Sequence, residues 1–198
     1  MTMTIREAQE DFRLAKSDPS LDIRFALMEI AIKKDPNAVF RNHSYYDALL
    51  LSMAMINHAD ESFYMFIGDG AEVFIEQMKD EFRAMLTRFK TGEGGRREAR
   101  IIILSTEKNE FSLFKELAVE FKNLFAFLSI PIKREDAKGY RHFTITDGKM
   151  YRLEEPHEPV GNDTLADTIR AEVAFNNKYV VKYLEEVFES YWNAKQVA

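Results

Sequence analysis

Residues 140–148, YRHFTITDG, gather a tyrosine at 140, a histidine at 142, threonines at 144 and 146 and an aspartate at 147. These types can do chemistry. An activated tyrosine can attack an electrophilic centre, a protonated histidine can donate to an anionic oxygen, and a carboxylate can hold either in place. Read as an extended segment closed by an Asp-Gly turn, the stretch alternates: His142, Thr144 and Thr146 share one face, Phe143 and Ile145 the other. Two uses of the polar face compete. One is a pocket floor with Tyr140 at its rim. The other, the commoner state of an antiparallel strand and the expectation adopted, is an amphipathic strand with its polar side in water.

A second set of candidates is GEGGRREAR, residues 92–100, where Arg96, Arg97 and Arg100 follow three glycines. Guanidinium groups on a pliable backbone suit a phosphate. Neither G-x-x-x-x-G-K-[ST] nor G-x-G-x-x-G occurs, so a solvated turn between helix and strand is the simpler expectation. Gly68-Asp69-Gly70 with Glu72 lacks calcium-loop spacing and reads as a strand-to-helix turn. His43, His58 and His157 show no metal-ligand spacing, and cysteine is absent. No metal or cofactor is therefore expected, and disulfides and cysteine nucleophiles are excluded. His157 sits in an irregular acidic loop, EEPHEPVGND, of the kind that contacts partners.

The elements that must position these groups follow from periodicity. Helices are expected over Thr4–Ala15, opened by a Thr4–Glu7 capping box, and over 21–34. Further helices are expected over 45–58, 72–90, 111–128 and 177–192, the long ones marked by apolar residues at helical spacing. Strands are expected over 62–67 (SFYMFI), 99–105 (ARIIILS), 130–134, 140–146, the KMYRLEE run after the turn, and 170–175. Alternation of strands and helices with a late hairpin indicates an α/β fold, a mixed β-sheet flanked by helices. The 198 residues suffice for one core. Residues 1–40 read as a helical extension and 41–198 as the main domain. An apolar fraction of 46% with sixteen phenylalanines excludes disorder. A net charge of −6 argues against non-specific nucleic-acid binding, which needs a basic face. The longest apolar run is shorter than a membrane span and no secretory segment opens the chain, so a cytoplasmic protein without membrane contact is expected. The surplus of Phe111, Phe114, Phe121, Phe125 and Phe127 is expected to mark a helix sandwiched in the core, with an oligomer interface as the alternative.

In order, SFYMFIGDG, the helix from Glu72, GGRREARIIILS, IPIKRED, YRHFTITDG, AEVAFNN and the terminal Phe188-x-x-x-Trp192 resemble one half-domain of the phospholipase D-like superfamily. The resemblance covers roughly three quarters of the chain. It implies the superfamily's H-x-K-x-x-x-x-D site, in which histidine attacks phosphorus and lysine holds phosphate oxygens. With the Asp-Gly turns aligned, Asp147 falls on the aspartate, His142 on the lysine and Tyr140 on the histidine. The resemblance thus implies a catalytically degenerate member. It would bind a protein partner or a phosphate-bearing ligand such as nucleic acid, through Thr144, Thr146, Arg96, Arg97 and Arg100 around a remnant of Tyr140, His142 and Asp147. It further implies a homodimer and a place in bacterial multi-protein systems such as phage defence. The alternatives are a dimeric phosphodiesterase or nuclease with altered chemistry and, last, an acidic inhibitor or antitoxin.

Overall fold

The computed structural model of the chain describes residues 4–15, 19–42, 44–92, 97–106, 110–157, 164 and 169–196. It opens with α1 (Ile5–Ala15) and α2 (Pro19–Lys34), then β1 (Val39–Asn42), α3 (Tyr45–His58) and β2 (Ser62–Ile67). Next come α4 (Ala71–Glu76), α5 (Lys79–Thr91), β3 (Glu98–Ser105), α6 (Ser112–Glu120) and β4 (Phe125–Pro131). A one-turn α7 (Arg134–Ala137), the hairpin β5 (Phe143–Thr146) and β6 (Met150–Glu154), β7 (Ala171–Ala174) and α8 (Lys178–Gln196) complete the order.

The strands form one mixed sheet in the order β1-β7-β6-β5-β2-β3-β4. β2, β3 and β4 are parallel; β5, β6, β7 and β1 extend the sheet antiparallel from β2. Alternation of side chains gives two covered faces. Phe63, Met65, Ile101 and Ile103 enter the larger cluster with Phe12 of α1, Leu49 of α3, Phe82 of α5 and Phe114 of α6. Phe66, Ile102, Phe143 and Ile145 pack under α8 through Val181, Leu184, Phe188 and Trp192.

Local chemistry sets the ends of these elements. The Thr4–Glu7 box forms as its spacing predicts: Thr4 N–H donates to Glu7 Oε2 at 2.8 Å and Glu7 N–H to Thr4 Oγ1 at 3.3 Å. Ser44 caps α3 by accepting from Asp47 N–H at 3.1 Å. Phe12 is fully buried, so α1 belongs to the same core as the sheet.

Three expectations are corrected and one strand is added. The helix expected over 72–90 breaks at Gln77–Met78 into α4 and α5, which keeps Ile75, Met78 and Phe82 all in the core. The helix expected over 111–128 stops at Glu120. Asn123 takes a left-handed conformation (φ 71°), and Phe125 and Phe127 continue as β4 beside β3. β1, not foreseen, pairs with β7 at the sheet edge. Finally, the face carrying Thr144 and Thr146 is not in water: both threonines are buried, because helices cover both sides of β5. The phenylalanine surplus is accounted for within the core, where Phe111, Phe114, Phe125 and Phe127 contact one another ring to ring.

Candidate functional site

The hairpin turn forms first in the logic of the site. Asp147 and Gly148 both have positive φ (54° and 61°), and Lys149 N–H donates back to Thr146 O at 3.2 Å. This is the backbone of a type I′ turn, which Asp-Gly favours. Lys149 stays outside the ladder, which resumes with Thr146 opposite Met150 and so puts Thr144 opposite Arg152. Continued outward, that register brings His142 opposite Glu154, whose N–H donates to His142 O at 2.9 Å.

Glu154 is the centre of the polar cluster. Its Oε1 accepts from Arg152. Its Oε2 accepts from two imidazoles, His142 Nδ1 at 3.0 Å and His157 Nε2 at 2.9 Å. The two rings stand 5.0 Å apart and nearly perpendicular. All three side chains are largely withdrawn from solvent, Glu154 to 7% exposure. Burial alone would raise the Glu154 carboxyl. The Arg152 charge and the two imidazole hydrogen bonds outweigh it and hold the group well below the ordinary carboxylate range. An ionised Oε2 only accepts, so each facing ring nitrogen carries a proton. Arg152 leaves Nε and Nη2 without a hydrogen-bond partner among the described residues, and its guanidinium lies 5.9 Å from the Phe74 ring.

This cluster opens on a cavity of about 90 Å³ lined also by Ile5, Gln9, Tyr45, Asp69 and Phe74. The cavity lies where β2 ends at Ile67, the carboxyl end of the parallel strands, the usual place for ligands in open α/β sheets. Burial pushes the Tyr45 hydroxyl up to about 12, so it stays a neutral phenol there, accepting from Gln9 Nε2 at 3.2 Å. Gly68 gives His142 its room: a Cβ at position 68 would stand 2.9 Å from His142 Nε2.

The residues singled out by type and spacing are dispersed. Tyr140 leaves the cavity and packs against Phe66 and Tyr191 in the cluster under α8. Asp147 sits at the other end of β2. Its carboxylate accepts from the N–H groups of Glu61 at 2.8 Å, Ser62 at 2.9 Å and Asp60 at 3.0 Å. Thus Tyr140, His142 and Asp147 occupy three separate environments. Thr144 and Thr146 are buried behind them. Arg97 Nε donates to Asp60 O at 3.0 Å, near Asp147 rather than His142. Arg100 is held by Glu98 at 3.2 Å and by Glu189, and its guanidinium lies over the Tyr64 ring at 4.3 Å. Arg96 and His43 lie outside the described residues.

The Gly68-Asp69-Gly70 segment is the expected strand-to-helix turn. Asp69 accepts from Thr106 N–H at 3.1 Å and Ser105 Oγ at 3.2 Å, and Glu72 accepts from Leu113 N–H at the start of α6. Sequence reasoning missed Glu154 and Arg152 and read His157 as isolated. A two-residue Asp147-Gly148 loop would have paired 142 with 153; the observed pairing is centred on Gly148, with residues 147–149 between Thr146 and Met150, and only that register pairs 142 with 154. The return of His157 onto Glu154 has no sequence signal either, since it depends on the loop leaving β6.

By sequence, the chain matches no protein-family model and no curated protein. By structure it is similar to TrmBL2, an archaeal chromatin protein with a novel mode of DNA binding, at a TM-score of 0.57 and 14% identity over 91% of this chain. The chain spans 62% of TrmBL2. It is similar to Nuc of Salmonella typhimurium, a phospholipase D family member, at 0.53 and 14% over 79% of this chain and 93% of that one. NucT of Helicobacter pylori superposes at 0.51 and 15% identity over 78% and 93%. At these levels of identity the superpositions show the fold alone: this chain has a phospholipase D-like fold.

Proposed function

We propose that the protein is a catalytically degenerate phospholipase D-like module that binds a phosphate-bearing ligand, nucleic acid above all, without hydrolysing it. One observation carries the reading. The positions aligned with the superfamily's nucleophile, phosphate-holding lysine and aspartate do not converge, with Tyr140 under α8, His142 in the cavity wall and Asp147 bonded to the start of β2. Hydrolysis by covalent catalysis needs a nucleophile beside its activating base, and that pairing is missing from the three. The DNA-binding neighbour and the phospholipase D family neighbour make nucleic acid the first ligand class to try. The resemblance adds a second copy of the chain and a bacterial phage-defence context to the same proposal, in the cytoplasmic setting expected from the sequence.

A second reading rests on the His142–Glu154 pair. A histidine whose Nδ1–H is held by a buried carboxylate is oriented for proton transfer at Nε2, as a phosphodiesterase with altered chemistry would require. One experiment separates the readings. Labelled DNA and RNA strands are titrated with the protein while a generic activated phosphodiester is assayed for cleavage. Binding that weakens with salt, without cleavage, is the expected result. Cleavage that His142→Ala abolishes would replace the binding reading with the enzymatic one.

A further inference from the structure

The cavity has the wrong charge for the ligand proposed above. Among the described residues its charged lining groups are the carboxylates of Asp69 and Glu154, and no lysine or arginine lines it. A phosphate entering it meets two carboxylates, and the Arg152 guanidinium is already bonded to one of them. Yet the same wall holds two imidazole nitrogens and a carboxylate oxygen within 4.8 Å of one another.

We propose that His142, Glu154 and His157 form a site for a divalent ion of the zinc class, with an open coordination position facing the cavity. That position takes an oxygen of a phosphate group. This last clause rests on the ligand class proposed above; the metal site does not.

The donor set is a mixed one, two nitrogens and one oxygen, which suits zinc and its neighbours rather than calcium or magnesium. Three protein ligands with a vacant fourth position is the pattern of reactive rather than structural zinc sites. The geometry is close. Around a tetrahedral ion with bonds of about 2.1 Å, neighbouring donors stand about 3.4 Å apart. Here Glu154 Oε2 lies 3.0 Å from His142 Nδ1 and 2.9 Å from His157 Nε2, and all three donors lie within 4.8 Å of one another, so the ion is admitted when the carboxylate moves out by a few tenths of an ångström and the two rings settle to the same spacing. The two imidazoles would give up the protons they now share with Oε2, and the ion would take their place.

The surroundings support the same set. Arg152 fixes the carboxylate through the oxygen that the imidazoles do not use, the outer contact that a ligating carboxylate ordinarily has. Gly68 leaves space for the His142 ring where any Cβ would crowd it. Charge then balances as the ligand needs. Glu154 and Asp69 contribute two negative charges, Arg152 and the divalent ion three positive ones, and the cavity changes from repelling an anion to attracting one.

The test uses the whole chain stripped with a chelator, cobalt(II) as the probe and inorganic phosphate as the second ligand. Expected are one cobalt per chain by equilibrium dialysis and a visible absorption band of low-coordinate cobalt that shifts when phosphate is added. His157→Ala, in the segment after β6 rather than in the sheet, is expected to weaken cobalt at least about tenfold with the far-ultraviolet circular dichroism unchanged. His142→Ala is expected to do the same. His58→Ala, which removes the His58–Glu29 pair on α3 and α2, is expected to leave cobalt binding unchanged. Absence of stoichiometric binding, or binding that survives both cavity variants or disappears with His58, overturns the site. A cobalt band indifferent to phosphate overturns the open phosphate position. Because neither probe is a nucleic acid, failure of nucleic-acid binding is read separately and bears on the function proposed above.

Discussion

At the scale of residues, Asp147 shows how a side chain can keep its place in a motif and do different work. It is the one position of H-x-K-x-x-x-x-D with the superfamily's residue. Its carboxylate is occupied by three backbone N–H groups at the start of β2, and its own backbone has φ 54°. Replacing it with alanine removes charge-assisted hydrogen bonds from three backbone donors, of which Ser62 N–H is partly buried, and puts a Cβ-bearing residue without local hydrogen bonding into the left-handed region. Together these should cost about 2–4 kcal/mol in denaturant unfolding. Asp147→Asn, which tolerates that backbone and keeps one acceptor, should lose roughly half as much. Nucleic-acid affinity of the folded variants is expected to match the parent. A variant of normal stability that loses affinity or cleavage would return Asp147 to a functional role. Glu154 is the opposite case: it belongs to no motif in the sequence, yet it organises the cavity wall.

At the scale of elements, what was legible depended on whether a local pattern had one structural solution. SFYMFI and ARIIILS, short apolar runs closed by turns, were readable as β2 and β3 because nothing else buries such runs. The apolar residues from 111 to 128 fit a helix equally well, and only Asn123 in the left-handed region redirects the chain into β4. The candidate site was half legible for the same reason. His142 stood out by its place before the Asp-Gly turn, but its pairing with Glu154 depends on Lys149 joining the loop, and His157 depends on tertiary return of a loop. Arg100 of β3 is an element-scale feature too. Read alone it looks like a phosphate ligand, but across the face of the sheet it is enclosed by Tyr64, Phe188 and Trp192 and paired with Glu98 and Glu189. It therefore fastens α8 to the sheet. Arg100→Lys keeps the charge but loses the planar fork and the stacking, and should destabilise the protein by about 1–2 kcal/mol. Nucleic-acid affinity at fixed salt should stay the same. A fall in affinity without a change in unfolding midpoint would mean that Arg100 contacts the ligand instead.

At the scale of the whole molecule, two helical layers seal both faces of one sheet, and phenolic groups are trapped at several of the seams. Tyr45 lies between α3 and the cavity, Tyr64 between β2 and α8, and Tyr151 on β6 beside Glu172. Burial is the first cause that pushes each hydroxyl from 10.0 to about 12; hydrogen bonds to Glu98 and Glu172 add to it for Tyr64 and Tyr151. A group whose folded pKa is raised stabilises the fold fully below its unfolded value and loses that contribution as pH climbs through the folded one. The fold should therefore be insensitive to these tyrosines below pH 10 and weaken between pH 10 and about 12. Followed by tyrosinate absorbance and circular dichroism together, three of the eight tyrosines should ionise late and in step with the loss of helical signal. Ionisation of all eight near pH 10 with the helical signal intact would mean that the two layers open readily. The cavity between α1, α3 and the hairpin would then be more accessible than the folded structure implies.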